Sequence, residues 1–469
     1  MDKYKQLFSN MLIFSFSILL SKLILSFMLP LYTRTMSTSE YGQAELLTNI
    51  SQMLVPVFSV CMPSAVFRFS MDESIDSKNA LKTGASFLPV TIILFLAFSF
   101  FTRWIQVIYE YNSFFFFISI LTVIRSGLSL YIKSCEKNTI FSIDVLVYNL
   151  TLSCFNVILL LLLKKGIIGY FFSIILANVI SICFLSIAGK VYNDLWHGKA
   201  QKELLVKMLS YSFPIIFTDL AWALISTTDK YMITNQISDS DNGIYSAASK
   251  IPAVLTIVTS IFSEAWVLSA IRNFEGDNDR SFYENVFFAM HISVSFVVLL
   301  VLALNNTFIP LFLGEQFYDS AKYTPLLLFG AYLSAYTLYY SPLFSACKNT
   351  KAIMASTIIG VSANILLNYL LIPQIGIYGA CIATVISSFL ICLYRTIRIR
   401  KYIVINIDIH KWILSVVLVL LVMVSVILEW NEALVSAAGA IALVVLYREK
   451  LLYFKSLIVE YIRGKGIKL

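Results

Sequence analysis

The sequence predicts an all-α polytopic membrane protein of about 14 transmembrane helices. These form two six-helix bundles related by a pseudo-two-fold along the membrane normal, followed by two C-terminal helices. Three observations carry this: the composition, a series of bilayer-length apolar runs, and short motifs that recur in order at a nearly constant offset. Of 469 residues 59% are hydrophobic and 13% charged, with mean hydropathy +0.81. Soluble domains carry about 25% charged residues, so this chain cannot cover a water-facing surface.

About 20 apolar residues cross the hydrocarbon core. Fourteen runs qualify: 10–33, 43–69, 83–103, 113–133, 139–163, 167–189, 210–236, 243–269, 284–305, 325–346, 352–373, 376–398, 411–430 and the short 433–447. The longest connections, near 189–210 and 305–325, leave no room for a soluble domain. Lys3 and Lys5 precede the first run, which lacks a small-residue cleavage site and reads as a retained helix. With the N-terminus inside, 26 of the 35 Lys and Arg fall on inner segments, 5 on outer segments and 4 within spans. That bias places both termini in the cytoplasm.

SCEKNT (134–139) and SACKNT (345–350) join spans four to five and ten to eleven, with the Lys-Asn-Thr triplets offset by 211 and the Cys slipped one place. Ser37-x-Ser39-x-x-Gly42 and Ser238-x-Ser240-x-x-Gly243 are offset by 201, and Gly166-x-x-Gly169 and Gly376-x-x-Gly379 by 210. The spans therefore read as a duplicated six-helix unit: residues 1–200, residues 201–405, then 406–469 with two further helices and a basic tail. An even number of spans per copy makes the repeats parallel. Gly166, Gly169, Ser173 and Ala177, and likewise Gly376, Gly379, Ala383 and Ser387, give each sixth helix a small-residue face for close packing. Pro30, Pro56, Pro63, Pro214, Pro252 and Pro342 lie in or at the ends of spans and predict kinks.

Charge within hydrocarbon costs about 2.5–3.5 kcal/mol per residue, so intramembrane charges are the functional leads. Lys22, Arg125, Lys230 and Lys250 are candidate contacts for an anionic substrate; Asp219, Asp229 and Glu264 are candidate ion-coupling acids. Asp144 lies near the inner end of span five and Glu45 at the outer end of span two. Asp219, Trp222, Ser226 and Lys230 step by three, four and four along one helix face. Spans seven and eight each carry a cation outward and an acid inward, as a polar cavity requires. The competing reading makes Asp229, Lys230 and Lys250 an interfacial cluster pairing with one another. His291 reads as a packed or interfacial residue. The seven cysteines read as small apolar core residues. Asp277-Asn278-Asp279 and Asp239-Ser240-Asp241 read as loops, because no domain accompanies them that could hold a nucleotide. No phosphate loop or metal-ligand cluster occurs in the sequence, so no cofactor or metal is expected.

MLPLYTRTMSTSEYG (28–42), TDKYMI (228–233), GIYSAASKIP (243–252) and NILLNYLLIPQIGIYGACIAT (364–384) resemble the Wzx-type polysaccharide flippases. That family belongs to the superfamily of multidrug extruders and lipid II flippases, and the resemblance spans residues 1 to about 400. It implies a V of two six-helix lobes, a central cationic cavity, and alternating-access translocation of an undecaprenyl-pyrophosphate-linked oligosaccharide in the bacterial cytoplasmic membrane. Lys250 matches the family's YSxAxK position and Asp229-Lys230 its Asp-Arg/Lys pair, while Lys22 corresponds loosely to a first-helix basic residue of lipid II flippases. The resemblance further implies membrane lipids, a polysaccharide polymerase and a chain-length regulator as partners, and no nucleic acid. A multidrug exporter, a lipid II flippase and a membrane-embedded polymerase are the alternatives. Lys22 and Arg125 at depth count against the first, and the duplication and short outer loops against the last.

Overall fold

Ser37 begins the first full spanning helix by a reciprocal cap. Its Oγ accepts from the Glu40 N–H at 3.2 Å, and the Glu40 carboxylate accepts from the Ser37 N–H at 2.9 Å. The computed structural model describes residues 24–456 except 25–26, 73, 101–105, 257–258, 260–261, 264–265, 267–269, 271–279, 348, 403–407 and 455. The described residues form helices joined by short turns, with no strand among them. Residues 27–35 form the end of the first expected span. Then come α1 (Thr38–Phe58), α2 (Met62–Ser70), α3 (Ser77–Ala85), α4 (Leu88–Phe100), α5 (Asn112–Ser134), α6 (Asn138–Asn156), α7 (Gly166–Ala188), α8 (Val191–His197) and α9 (Lys202–Gln236). Later in the chain come α10 (Asp239–Lys250), α11 (Arg280–Ala303), α12 (Ser320–Ala346), α13 (Thr350–Ile375), α14 (Ile377–Ile399), α15 (Ile409–Ile427) and α16 (Glu432–Leu446). Eight helical stretches among the described residues are long and apolar enough to cross a membrane; the bent pair α1–α2 makes a ninth.

Two compact units divide the chain, Met1–Ser246 and Ala247–Leu469. In the first, α5 packs on α2 and α7, α6 on α7, and α9 on α1 and α2. In the second, α14 packs on α12 and α13, and the α15–α16 hairpin on α11. His291 ties that hairpin down: its Nδ1 lies 2.6 Å from Tyr336 Oη, and its Nε2 lies 2.8 Å from Ser415 Oγ and 3.2 Å from Tyr447 Oη. It is fully buried, the packed histidine expected.

The duplication is visible in local geometry. Ser238 caps α10 with Asp241 as Ser37 caps α1 with Glu40. Gly166 and Gly376 are the positive-φ glycines among the described residues, at +54° and +61°. A Cβ at Gly169 would stand 3.2 Å from the Leu159 carbonyl oxygen, and one at Gly379 2.7 Å from that of Leu371, so glycine permits the same close approach twice. The first copy holds two more residues between these partners. Its extra length is taken up by a π-helical stretch, Val157–Leu162, and a turn with Lys164 at φ +49°.

At the repeated inner turn the structure favours the cysteines over the Lys-Asn-Thr triplets. The Cys135 and Cys347 N–H groups each bond the carbonyl four residues back, and α6 and α13 each begin three residues after the cysteine. The cysteines align without a slip and the triplets sit one residue out of register. Cys61, Cys381 and Cys392 are buried as expected of core residues, whereas Cys154 and Cys183 lie on outward faces.

The two long connections are not loops. Residues 191–197 form α8, and α9 begins at Lys202 and runs 35 residues through Pro214. Asn305–Phe312 is a further helix before α12. Such structure is what connections of this length usually carry.

Candidate functional site

Spans two and eight are equivalent in the two copies, and both are broken. The first breaks after Pro56: Val60 and Cys61 take positive φ (51° and 47°), and α1 and α2 meet at 54°. The second breaks at Ile251–Pro252, directly after Lys250. Proline supplies no N–H to continue the ladder. In transporters, discontinuous helices of this kind form substrate sites, because their freed backbone groups face polar ligands. Lys250 is exposed while Tyr245, Ala247 and Ala248 on the same helix are buried. Asp219 on α9 is exposed, and its Oδ2 accepts from Cys61 Sγ at 3.6 Å, at the first break.

Toward the other end of α9, Lys230 is buried at 7% exposure and pairs with Glu45 of α1, Nζ to Oε2 2.8 Å. Tyr41 Oη donates to the other Glu45 oxygen at 3.4 Å. Asp229 instead accepts from Tyr245 Oη of α10 at 2.6 Å. Neighbouring helical residues point about 100° apart, so the Asp229-Lys230 pair divides between two helices. Asp219 and Lys230 are eleven residues apart, about 16 Å along the axis, which keeps the acid and the cation at separate depths. Above the Glu45–Lys230 pair the two repeated serine turns meet. Thr38 Oγ1 lies 2.7 Å from Ser240 Oγ, Gln43 Nε2 donates to Asp239 Oδ2 at 2.8 Å, and Asn242 Nδ2 donates to the Gly42 carbonyl at 2.8 Å. The DxD at Asp239–Asp241 is thereby committed to capping and packing.

Arg125 belongs to a separate cluster on α5, α6 and α7. Its Nη2 lies 3.1 Å from Asp144 Oδ2, its Nε donates to Ser181 Oγ at 2.7 Å, and its guanidinium lies 3.8 Å from the Tyr148 ring centre. Ser181 donates to the second Asp144 oxygen. Asp144 is wholly buried, so it serves as the counter-ion of Arg125 rather than reaching an interface. Arg395 does the corresponding job in the second unit from the opposite helix: α14 reaches Ser356 Oγ of α13 at 2.9 Å, and Thr337 O and Ser341 Oγ of α12 at 2.9 and 2.6 Å. By sequence Arg395 falls among the inner-loop cations beside Arg398 and Arg400. The signal that sets it apart is its seven-three-four register with Ser388, Cys392 and Ile399, all buried. Glu45 has no evident role in the sequence; the structure supplies its partner. Lys22, Glu264 and Asp277–Asp279 lie outside the described residues.

Residues 7–267 match a family model described as polysaccharide biosynthesis protein. The chain belongs to the polysaccharide biosynthesis protein family. No curated protein matches the sequence. Among solved structures, this family member is similar to the lipid II flippase MurJ in an inward closed conformation, with TM-score 0.64 and 14% identity over 94% of this chain and all of that one. It is also similar to the inward-facing form of a multidrug resistance MATE family transporter of the MOP superfamily, with TM-score 0.65 and 13% identity over 81% of this chain and 95% of that one. These likenesses give the polysaccharide biosynthesis protein the multi-pass fold of flippases and transporters.

Proposed function

We propose that the chain is a flippase and not an enzyme. It moves an undecaprenyl-pyrophosphate-linked oligosaccharide repeat unit across the bacterial cytoplasmic membrane by alternating access, for surface polysaccharide such as O-antigen, capsule or exopolysaccharide. The observation that supports this best is Lys250, an exposed cation at the break of a spanning helix. An ammonium facing hydrocarbon is costly, so its place is a polar passage. A pyrophosphate crossing a low-dielectric slab needs fixed cations in place of its water. Lys230 and Arg125 are the supporting cations, each held ready by one carboxylate, Glu45 and Asp144. A polysaccharide polymerase and a chain-length regulator are the proposed partners, and both termini are proposed to be cytoplasmic.

The exposed Asp219 carboxylate favours a second reading, an exporter of cationic compounds on the same fold. Complementation separates the two. In a flippase-null strain of defined glycan, the parent gene restores surface polysaccharide and Lys250→Ala does not at equal expression, with Lys250→Arg intermediate. Full export by Lys250→Ala moves the site elsewhere; drug resistance without glycan export supports the second reading.

A further inference from the structure

An apolar cavity of about 270 Å³ lies inside the first unit, with no charged residue in its lining. Val66 of α2, Gly84 of α3, Leu88 of α4, Gly127 of α5, Ile182 of α7 and Leu195 of α8 all line it. Both α4 and α7 pack on α5, so the cavity is a slot between them. Its walls continue onto outward faces, where Val90 is 43% exposed and Ile187 74%. The lining residue Tyr192 is exposed as well, so the slot reaches the surface of the unit. A smaller engineered apolar cavity, about 150 Å³, stays dry and takes up benzene.

Gly127 gives the cavity a purpose. It stands in the middle of α5, where glycine weakens a helix relative to alanine. Small residues in membrane helices ordinarily serve close helix approach, and Gly169 and Gly379 do so here. At Gly127 a Cβ would meet nothing within 4 Å. The missing side chain serves the space, not a neighbouring backbone.

Two lysines neighbour lining residues in the chain. Lys82 follows the lining residue Leu81, and Lys190 stands two residues before the lining residue Tyr192. Lys78 joins α3 to α8 through Asp194 at 3.9 Å, and Asp194 also accepts from Tyr131 Oη. Tyr192 is 67% exposed, as an aromatic at the membrane–water boundary is. By the basic-residue bias these residues lie in the cytoplasmic leaflet, where anionic headgroups gather.

We propose that this slot is a lipid site, holding one acyl chain of an anionic phospholipid whose headgroup phosphate meets Lys82 and Lys190. Phospholipids are the bilayer's abundant chains, and neither Lys250 nor Asp219 lines the slot. The site is independent of what the protein transports.

Native mass spectrometry of the full-length protein tests it, with phosphatidylglycerol and phosphatidylcholine as probes. The parent should retain phosphatidylglycerol in preference to phosphatidylcholine. Gly127→Ala should keep it, and Gly127→Phe and Ile182→Trp, which fill the slot from two different helices, should each weaken it about tenfold, the worth of two buried methylenes. Lys82→Gln with Lys190→Gln should remove the preference for the anionic lipid. Undiminished retention in the filled variants overturns the site; should Gly127→Phe not fold, Ile182→Trp decides alone. Displacement of phosphatidylglycerol by equimolar polyprenyl phosphate overturns the proposed occupant in favour of the carrier lipid.

Discussion

Gly42 and Gly243 stand face to face, each against the turn that begins the other's helix. A Cβ on Gly42 would collide with the Asp239 carbonyl oxygen, and one on Gly243 with that of Thr38. Asp239 is Thr38 moved on by the repeat offset of 201, so the contact is the same from both sides, as about a local two-fold. The motif that recurs in the sequence meets its own copy in the fold.

Closure at this contact should be part of the transport cycle. Thr38→Cys with Ser240→Cys places two thiols where the hydroxyls are 2.7 Å apart, within disulfide reach. Oxidation should cross-link them and stop glycan export, and reduction should restore it. Export that continues in the fully cross-linked protein would separate this contact from transport.

Alanine at either glycine should force the turns apart at a cost of about 1–3 kcal/mol. Added to that double-cysteine variant, Gly42→Ala and Gly243→Ala should each lower the rate at which the two introduced thiols cross-link. Unchanged rates would mean that the turns separate without strain.

The Glu45–Lys230 pair is buried on both sides. Removing one partner leaves a buried charge without its counter-ion and costs about 3–5 kcal/mol, whereas replacing both can be neutral. Glu45→Leu and Lys230→Met should each lower the melting temperature markedly, and the double variant should recover most of the loss. A double variant as unstable as the worse single one would show that each residue has further essential partners.

How far the sequence could be read shows in these residues. The helices, the duplication and the small-residue faces follow from hydropathy and spacing, because the bilayer forces both. The partners of Lys230 and Arg125 do not, since Glu45 and Asp144 stand 185 and 19 residues away. Helical phase says which face a residue occupies and nothing about the helix opposite. Arg395 is hidden for a related reason: three other basic residues follow it within six positions, and only burial tells it from them.

For Arg125, stability and substrate binding come apart by a second substitution. Arg125→Ala should destabilise the first unit by about 3–5 kcal/mol through the orphaned Asp144. Adding Asp144→Asn should restore stability and leave export low. Export that returns with stability would reduce Arg125 to a packing role.

Asp219 is the described acid best placed to couple protons, exposed and beside the first helix break. In vesicles, transport by Asp219→Asn should lose its response to an imposed pH gradient. A response equal to the parent's would leave the carboxylate without a coupling role.

The central claim is that the cargo is a glycan on a polyprenyl pyrophosphate. Purified protein in liposomes of defined lipid, loaded on one leaflet with undecaprenyl-pyrophosphate-linked oligosaccharide, should make that glycan accessible to a glycosidase on the opposite side. Lys250→Ala should do so at about a tenth of the rate or less, the worth of one charge-assisted contact. Appearance no faster than in protein-free liposomes, or equal rates for parent and Lys250→Ala, would contradict the account.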